Sequence, residues 1–208
     1  VVNGASSHSA YPTAGVNAID FASRLVAHIG TLQKQIASEG PFDAGYQVPY
    51  STLHVGTIKG GTALNIVPNR CSFDFEIRHL PGHDGDLLID LIREHAENKL
   101  EPEMRTKNSD TGIEFEELFG YPPLITESSD SIVNFLLSLL EDDSKVEKIS
   151  FGSEAGLFSS RVGIPSVVCG PGSIMQAHKA DEYVTMDQLK VCSSMLDRLV
   201  QELTMRVE

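Results

Sequence analysis

Apolar residues recur three or four positions apart from Val16 through Ile19, Ala22, Leu25, Val26, Ile29, Leu32 and Ile36. That spacing keeps one face of an α-helix apolar, so it predicts a helix of about six turns. Gly40-Pro41 stops it. Beyond this point the period shortens to two. Leu53, Val55 and Thr57 alternate with Thr52, His54 and Gly56, and Cys71, Phe73, Phe75 and Ile77 share a face opposite Arg70, Asp74, Glu76 and Arg78. Residues 50–59 and 70–79 are therefore predicted strands. The connection between them, G-G-T-A-L-N-I-V-P, is longer than a tight hairpin. Its glycines permit backbone shapes that bring Asn65 near a ligand or a neighbour, with a simple mobile loop as the alternative.

Pro81-Gly82 ends the second strand, and Leu87, Leu88, Leu91, Ile92 and Ala96 mark a second amphipathic helix. With Val1-Val2-Asn3-Gly4 as the end of a first strand and a last strand at 113–118, the order is β-α-β-β-α-β. That is the ferredoxin-like α+β arrangement, two helices on one face of a four-stranded antiparallel sheet. Its other face is left to solvent or to a partner.

Tyr121-Pro122-Pro123 interrupts the pattern, since adjacent prolines continue neither a helix nor a central strand. The expected division is a first domain at 1–120 and a second segment at 121–208. The second reads as a helix at 131–140, a strand at 148–151, a G-S-E-A-G turn, a short helix, a strand at 166–169, a loop, and a helix at 186–203. Helices alternating with short apolar strands suggest an α/β layer. Two strands make a poor sheet alone, so the expectation is the C-terminal edge of a larger α/β domain, with its remainder before Val1. The start without Met leads to the same expectation.

Composition narrows the classes. Sixteen basic against twenty-nine acidic residues give a net charge of -13, which disfavours nucleic-acid and anionic-membrane partners. No window approaches the roughly 18 apolar residues of a membrane span and no signal-peptide pattern is visible, so a cytosolic chain is expected. Cys71, Cys169 and Cys192 are odd in number and far apart. They are expected to be buried free thiols and not a disulfide framework or a cysteine zinc site.

Two histidines stand out. His8 sits between serines at the end of a strand, and His178 lies in the loop G-P-G-S-I-M-Q-A-H-K-A-D-E-Y, where two glycines around a proline turn the chain after an apolar run. Either alone reads equally as an exposed polar residue.

Five motifs occur in order: G-x-x-x-H-S-A-Y-P-x-x-G-V-N-A-I, G-G-T-A-L-N-I-V-P-N, F-E-I-R-H-L-P-G, G-S-E-A-G and the loop around His178. Together they resemble the dinuclear-zinc amidohydrolase and peptidase family, over nearly the whole chain. The resemblance implies a ferredoxin-like dimerisation, or lid, domain followed by the C-terminal part of a zinc-hydrolase catalytic domain. It implies two zinc ions per active site, with cobalt able to substitute, and a small N-acyl amino acid as substrate. N-acetyl-L-ornithine, a compound of arginine biosynthesis, leads, with succinyl-diaminopimelate and acetylcitrulline as alternatives. The family's His-x-Asp metal motif, bridging Asp and Glu-Glu pair precede the lid and do not occur here. A chain inactive by itself, or a non-catalytic dimerisation module, is therefore expected.

The same resemblance implies the roles of single residues. His178 matches the last zinc ligand, and His8 matches a lid histidine that reaches the partner's active site in a homodimer and stabilises the oxyanion. Asn65 and Arg78 match residues that hold the substrate carboxylate. Arg78 has an alternative as a cross-strand partner of a sheet acid. Apart from the resemblance, Gly152 and Ser153 sit at an expected strand-to-helix turn, where backbone N–H groups could bind a substrate anion. Glu154 could accept the ornithine ammonium, or cap a helix instead.

Overall fold

The computed structural model describes residues 1–140 and 145–205. They fall into two compact units, Val1–Pro123 with Lys148–Gly152, and Leu124–Glu147 with Ser153–Glu208.

The first unit is built on helix α1, Ala18–Glu39. Asn17 starts it: its side-chain oxygen accepts from the N–H groups of Ile19 and Asp20 at 3.0 and 3.1 Å, satisfying two donors that the first turn leaves open. Gly40 ends it at φ 82°. Phe21, Ala22, Leu25, Ile29, Leu32 and Ile36 form the buried stripe; Ile19, expected on it, is exposed, and Phe21 takes a buried position that the spacing does not single out. Helix α2, Gly85–His95, is capped by Asp84 and buries Leu88 and Ile92.

The second helical stretch runs further than the sequence pattern indicates. A π-helical turn at Ala96–Leu100 leads into α3, Glu101–Lys107, which buries Met104. Pro102 has no N–H to donate, and the wider turn just before it absorbs the break in the ladder. Leu25, Ile29, Leu88 and Ile92 are each at most 2% exposed. Each such side chain contributes about 1.5–3 kcal/mol by burial.

These helices pack with the antiparallel strands β1 (Val2–Asn3), β2 (Thr52–Gly60), β3 (Arg70–Arg78) and β4 (Gly112–Ile113), in spatial order β2-β3-β1-β4. This is the ferredoxin-like order. Leu53, Cys71 and the partly buried Val55, Phe73, Phe75 and Ile77 face the core. The last strand is shorter than the expected 113–118. Pairing with β1 covers Gly112 and Ile113, and Glu114 N–H reaches the Val1 carbonyl at 2.8 Å.

Two imidazoles stack where α1 meets α2. The rings of His28 and His95 lie 3.7 Å apart and 7° from parallel. Burial holds both below the usual histidine range, and at His95 the neighbouring His28, Arg24 and Lys99 lower it further.

The second unit contains α4 (Ser131–Leu139), α5 (Ala155–Val162) and α6 (Met186–Met205). A reciprocal cap opens α6. The Thr185 hydroxyl accepts from Gln188 N–H at 3.2 Å, while the Gln188 side-chain oxygen accepts from Thr185. Val133, Leu139 and Met195 are its buried large apolar residues among those described.

The strands expected at 148–151 and 166–169 are not formed among the described residues. The first of these segments is held by side chains instead of a ladder. Lys148 Nζ meets Asp43 Oδ2 at 2.7 Å, and the Ser150 carbonyl accepts from Arg78. In the second, the Ser166 carbonyl accepts from the Thr126 hydroxyl at 2.7 Å. With no strand beside it, Cys169 is exposed and Cys192 half-buried, against the expectation of buried thiols, whereas Cys71 is buried.

Candidate functional site

The loop between β2 and β3 and the segment after β1 are laced together by backbone bonds. Ser9 N–H donates to the Asn65 carbonyl at 3.0 Å, Val67 N–H donates to the Ser7 carbonyl at 2.8 Å, and His8 bridges Ile66. His8 and Asn65 are thus neighbours at one end of the hairpin. Gly61 makes the turn possible with φ 77°, and a Cβ on Gly4 would lie 2.2 Å from the Val16 carbonyl oxygen. The loop, with Ser9, Asn17 and Ile19, walls a cavity of about 550 Å³.

The His8 ring is exposed and stands edge-on to Tyr11 at 6.1 Å. Its Nδ1 accepts from Ala10 N–H at 3.1 Å. This network assigns the proton of the neutral ring to Nε2. A local backbone contact therefore sets the tautomer that can donate through the outer nitrogen.

Arg78 lies at the opposite end of β3, paired with Thr52. Eight residue steps separate it from Arg70, beside the loop, or about 26 Å at the usual strand rise. The structure therefore brings His8 and Asn65 together and holds Arg78 apart from them. The Arg78 guanidinium contacts Glu76 and the Ser150 carbonyl. Its acid partner is two residues away on the same strand and not across it.

Ser153 and Glu154 open α5. The Ser153 hydroxyl accepts from Ala155 N–H at 3.1 Å, so it is the capping side chain. Glu154 occupies the cap position without a side-chain cap bond, and its carbonyl accepts from Leu157 N–H at 2.9 Å. Its carboxylate is left to other work. Ser153 and Glu154 line a cavity of about 530 Å³ with the apolar Ile132, Leu136, Phe158 and Val168. Cys169, exposed as a residue, shares that wall, and partial desolvation of its thiol, with nearby Cys192, pushes its pKa up. Gly152 belongs to the first unit.

His178 is exposed, with left-handed backbone at φ 59°, a conformation that non-glycine residues rarely adopt. Its N–H donates to Glu182 Oε2 at 2.9 Å. The loop is anchored at its start by Gln188 Nε2, which donates to the Gly172 carbonyl at 3.2 Å. Residue type alone does not single out Glu182 or Gln188, though the D-E pair ending four residues after the histidine carries the signal for the first. An imidazole displayed in this way is a suitable zinc donor, but a stable site needs about three or four ligands. Among the described residues no three His, Cys, Asp or Glu side chains converge. The donor set fits zinc in kind and supplies one ligand.

No helix among the described residues is long and apolar enough to cross a membrane. Comparison with known proteins matches residues 1–104 to the peptidase dimerisation domain. An acetylornithine deacetylase of Myxococcus xanthus is 33% identical over 96% of this chain and 50% of its own length. One from Aliivibrio fischeri is 29% identical with the same coverage. The chain thus spans about half the length of these curated relatives. Among solved structures, a tripeptidase from Staphylococcus aureus superposes with a TM-score of 0.66 at 21% identity, over 94% of this chain and 48% of that one. The aminopeptidase PepT of Bacillus cereus gives 0.64 at 21% identity, over 94% and 48%. These two show a shared fold. With the dimerisation domain over half its length and the five motifs in order, this chain belongs to the metal-dependent hydrolase family of peptidases and deacylases that carries that domain.

Proposed function

We propose that this chain is the dimerisation and C-terminal part of a cytosolic enzyme that removes the acetyl group from N-acetyl-L-ornithine, acting as a homodimer. The observation that carries this reading is the 33% identity to the Myxococcus xanthus acetylornithine deacetylase over 96% of the chain.

The geometry supports a role for each candidate. His8, with its proton on Nε2, is suited to donate to the oxyanion that forms as the amide carbonyl is attacked. Asn65, beside it in the chain's loop, is suited to hold the substrate carboxylate. Arg78 can hold the substrate carboxylate with its planar fork. One chain places Arg78 at the end of β3 away from the His8 and Asn65 loop, and β3 itself runs about 26 Å at the strand rise. An N-acyl amino acid is far shorter than that, which favours a site made from the His8 and Asn65 of one chain and the Arg78 of the other.

Glu154 suits the side-chain ammonium of ornithine. The apolar walls of its cavity suit the methylenes that carry that ammonium. The backbone N–H of Gly152 and that of Ser153 are each suited to an anion contact. His178 would hold one metal ion, Glu182 fixing the backbone beneath it. A zinc pair, or cobalt in its place, would supply a bound water acidic enough to attack the acyl carbon. One ligand is too few for tight binding, so the chain by itself is expected to be inactive.

The test joins this chain to the portion of the Myxococcus xanthus relative that it does not cover. The zinc-loaded chimera is expected to release ornithine from N-acetyl-L-ornithine, and the isolated chain to release none. A folded, zinc-loaded chimera that prefers succinyl-diaminopimelate or acetylcitrulline would move the substrate assignment to that compound.

A further inference from the structure

The guanidinium of Arg78 carries five N–H groups, and three are engaged. Nε donates to Glu76 Oε1 at 2.9 Å and Nη2 to Glu76 Oε2 at 3.1 Å, while Nη1 donates to the Ser150 carbonyl at 3.1 Å. One N–H on each terminal nitrogen is left. Glu76 and Arg78 stand two residues apart on β3, so both side chains rise from the same face. Their backbones are pinned by pairing with His54 and Thr52 of β2.

We propose that Glu76 is a positioning residue. It occupies one edge of the Arg78 guanidinium and leaves one N–H on each terminal nitrogen for a ligand carboxylate. This rests on the reading of Arg78 as the carboxylate holder.

Two effects compete. An unbraced arginine must give up much side-chain freedom to make a bidentate contact, and a braced one has already given it up. Against this, the negative charge of Glu76 opposes an anionic ligand. Both side chains are nearly half exposed, at 45% and 47%, so water and salt screen the repulsion across the guanidinium. Ordering outweighs repulsion. A second consequence concerns selectivity. With its charge largely balanced by Glu76, Arg78 recognises a planar pair of oxygens more than a bare negative charge.

The experiment observes arginine side-chain nitrogen resonances of this chain by NMR, with the Arg78 signal assigned through Arg78→Lys. N-acetyl-L-ornithine is titrated against its α-carboxamide. In the wild type the Arg78 signal is expected to show slow rotation about Nε–Cζ and to shift with the carboxylate but not with the amide. Glu76→Ala is expected to speed the rotation and weaken carboxylate binding about tenfold, and Glu76→Gln, which keeps one acceptor, to recover part of the loss. Unchanged β2 and β3 amide shifts establish that each variant is folded. Equal or tighter carboxylate binding by folded Glu76→Ala and Glu76→Gln would overturn the positioning role alone. A wild-type signal that fails to distinguish carboxylate from carboxamide would overturn the reading of Arg78 itself, and the positioning role with it.

Discussion

Glu182 accepts the backbone N–H of His178 at 2.9 Å, four residues back along the loop. The contact holds a histidine in left-handed backbone, which costs on the order of 1–3 kcal/mol and persists only where surrounding structure fixes it. Glu182→Ala is expected to raise hydrogen exchange at the His178 amide in this chain. In the zinc-loaded chimera it should weaken metal binding by about tenfold, the low end of what supporting contacts contribute. An unchanged exchange rate would mean that the loop is held by other contacts.

The fold itself is tested on α1. Leu25 is fully buried, and Leu25→Ala should cost about 2–5 kcal/mol, with the larger value if the core cannot close around the cavity. Asn17→Ala removes the cap of the same helix and should cost about 1 kcal/mol. Urea unfolding checks both through the midpoint. A loss below about 1 kcal/mol for Leu25→Ala would show that the site is not packed as described.

Much of this was legible in the sequence because period acts locally. The Val16 to Ile36 stripe and the alternation from Cys71 to Ile77 each specify their element with short-range contacts, whereas the Asn17 cap shows in the structure. What stayed hidden depends on partners far along the chain. The segments at 148–151 and 166–169 are apolar enough for strands, but a ladder needs a neighbour. The second helix also continues past Ala96, through a π-helical turn, beyond the apolar positions that mark it. The motifs named His8, Asn65, Arg78 and His178, and the last of them contains Glu182, while the holding contacts made by Glu76, Ala10 and Glu182 show only in three dimensions.

Acid should weaken the first unit through the stacked His28 and His95. Both folded-state values lie below the ordinary 6.5, chiefly by burial. Below that value the unfolded chain binds more protons than the folded one, so the folded state loses stability. The contribution is complete above about pH 7.5 and is lost as pH falls through 6.5 toward the lowered folded values. Arg24 and Lys99 near His95 act in the same direction. Thermal melts at pH 7.5 and 5.5 should show a larger drop for wild type than for His95→Gln. Equal drops would remove the pair from the account.

The separation of His8 from Arg78 leads to a direct measurement on the chimera. His8→Ala should lower kcat by about 10²–10³ with little change in KM, the loss expected for one oxyanion donor. Arg78→Ala should act chiefly on KM, because it removes ground-state binding of the carboxylate. At substrate well below KM both variants are therefore impaired. If each site takes His8 from one chain and Arg78 from its partner, mixing the two variants creates heterodimers with one intact site and one doubly defective site. After random exchange half of the dimers are mixed, so about a quarter of wild-type activity should return. Activity that stays at the level of the separate variants, with subunit exchange verified, would place His8 and Arg78 in the same site of one chain and contradict the shared active site.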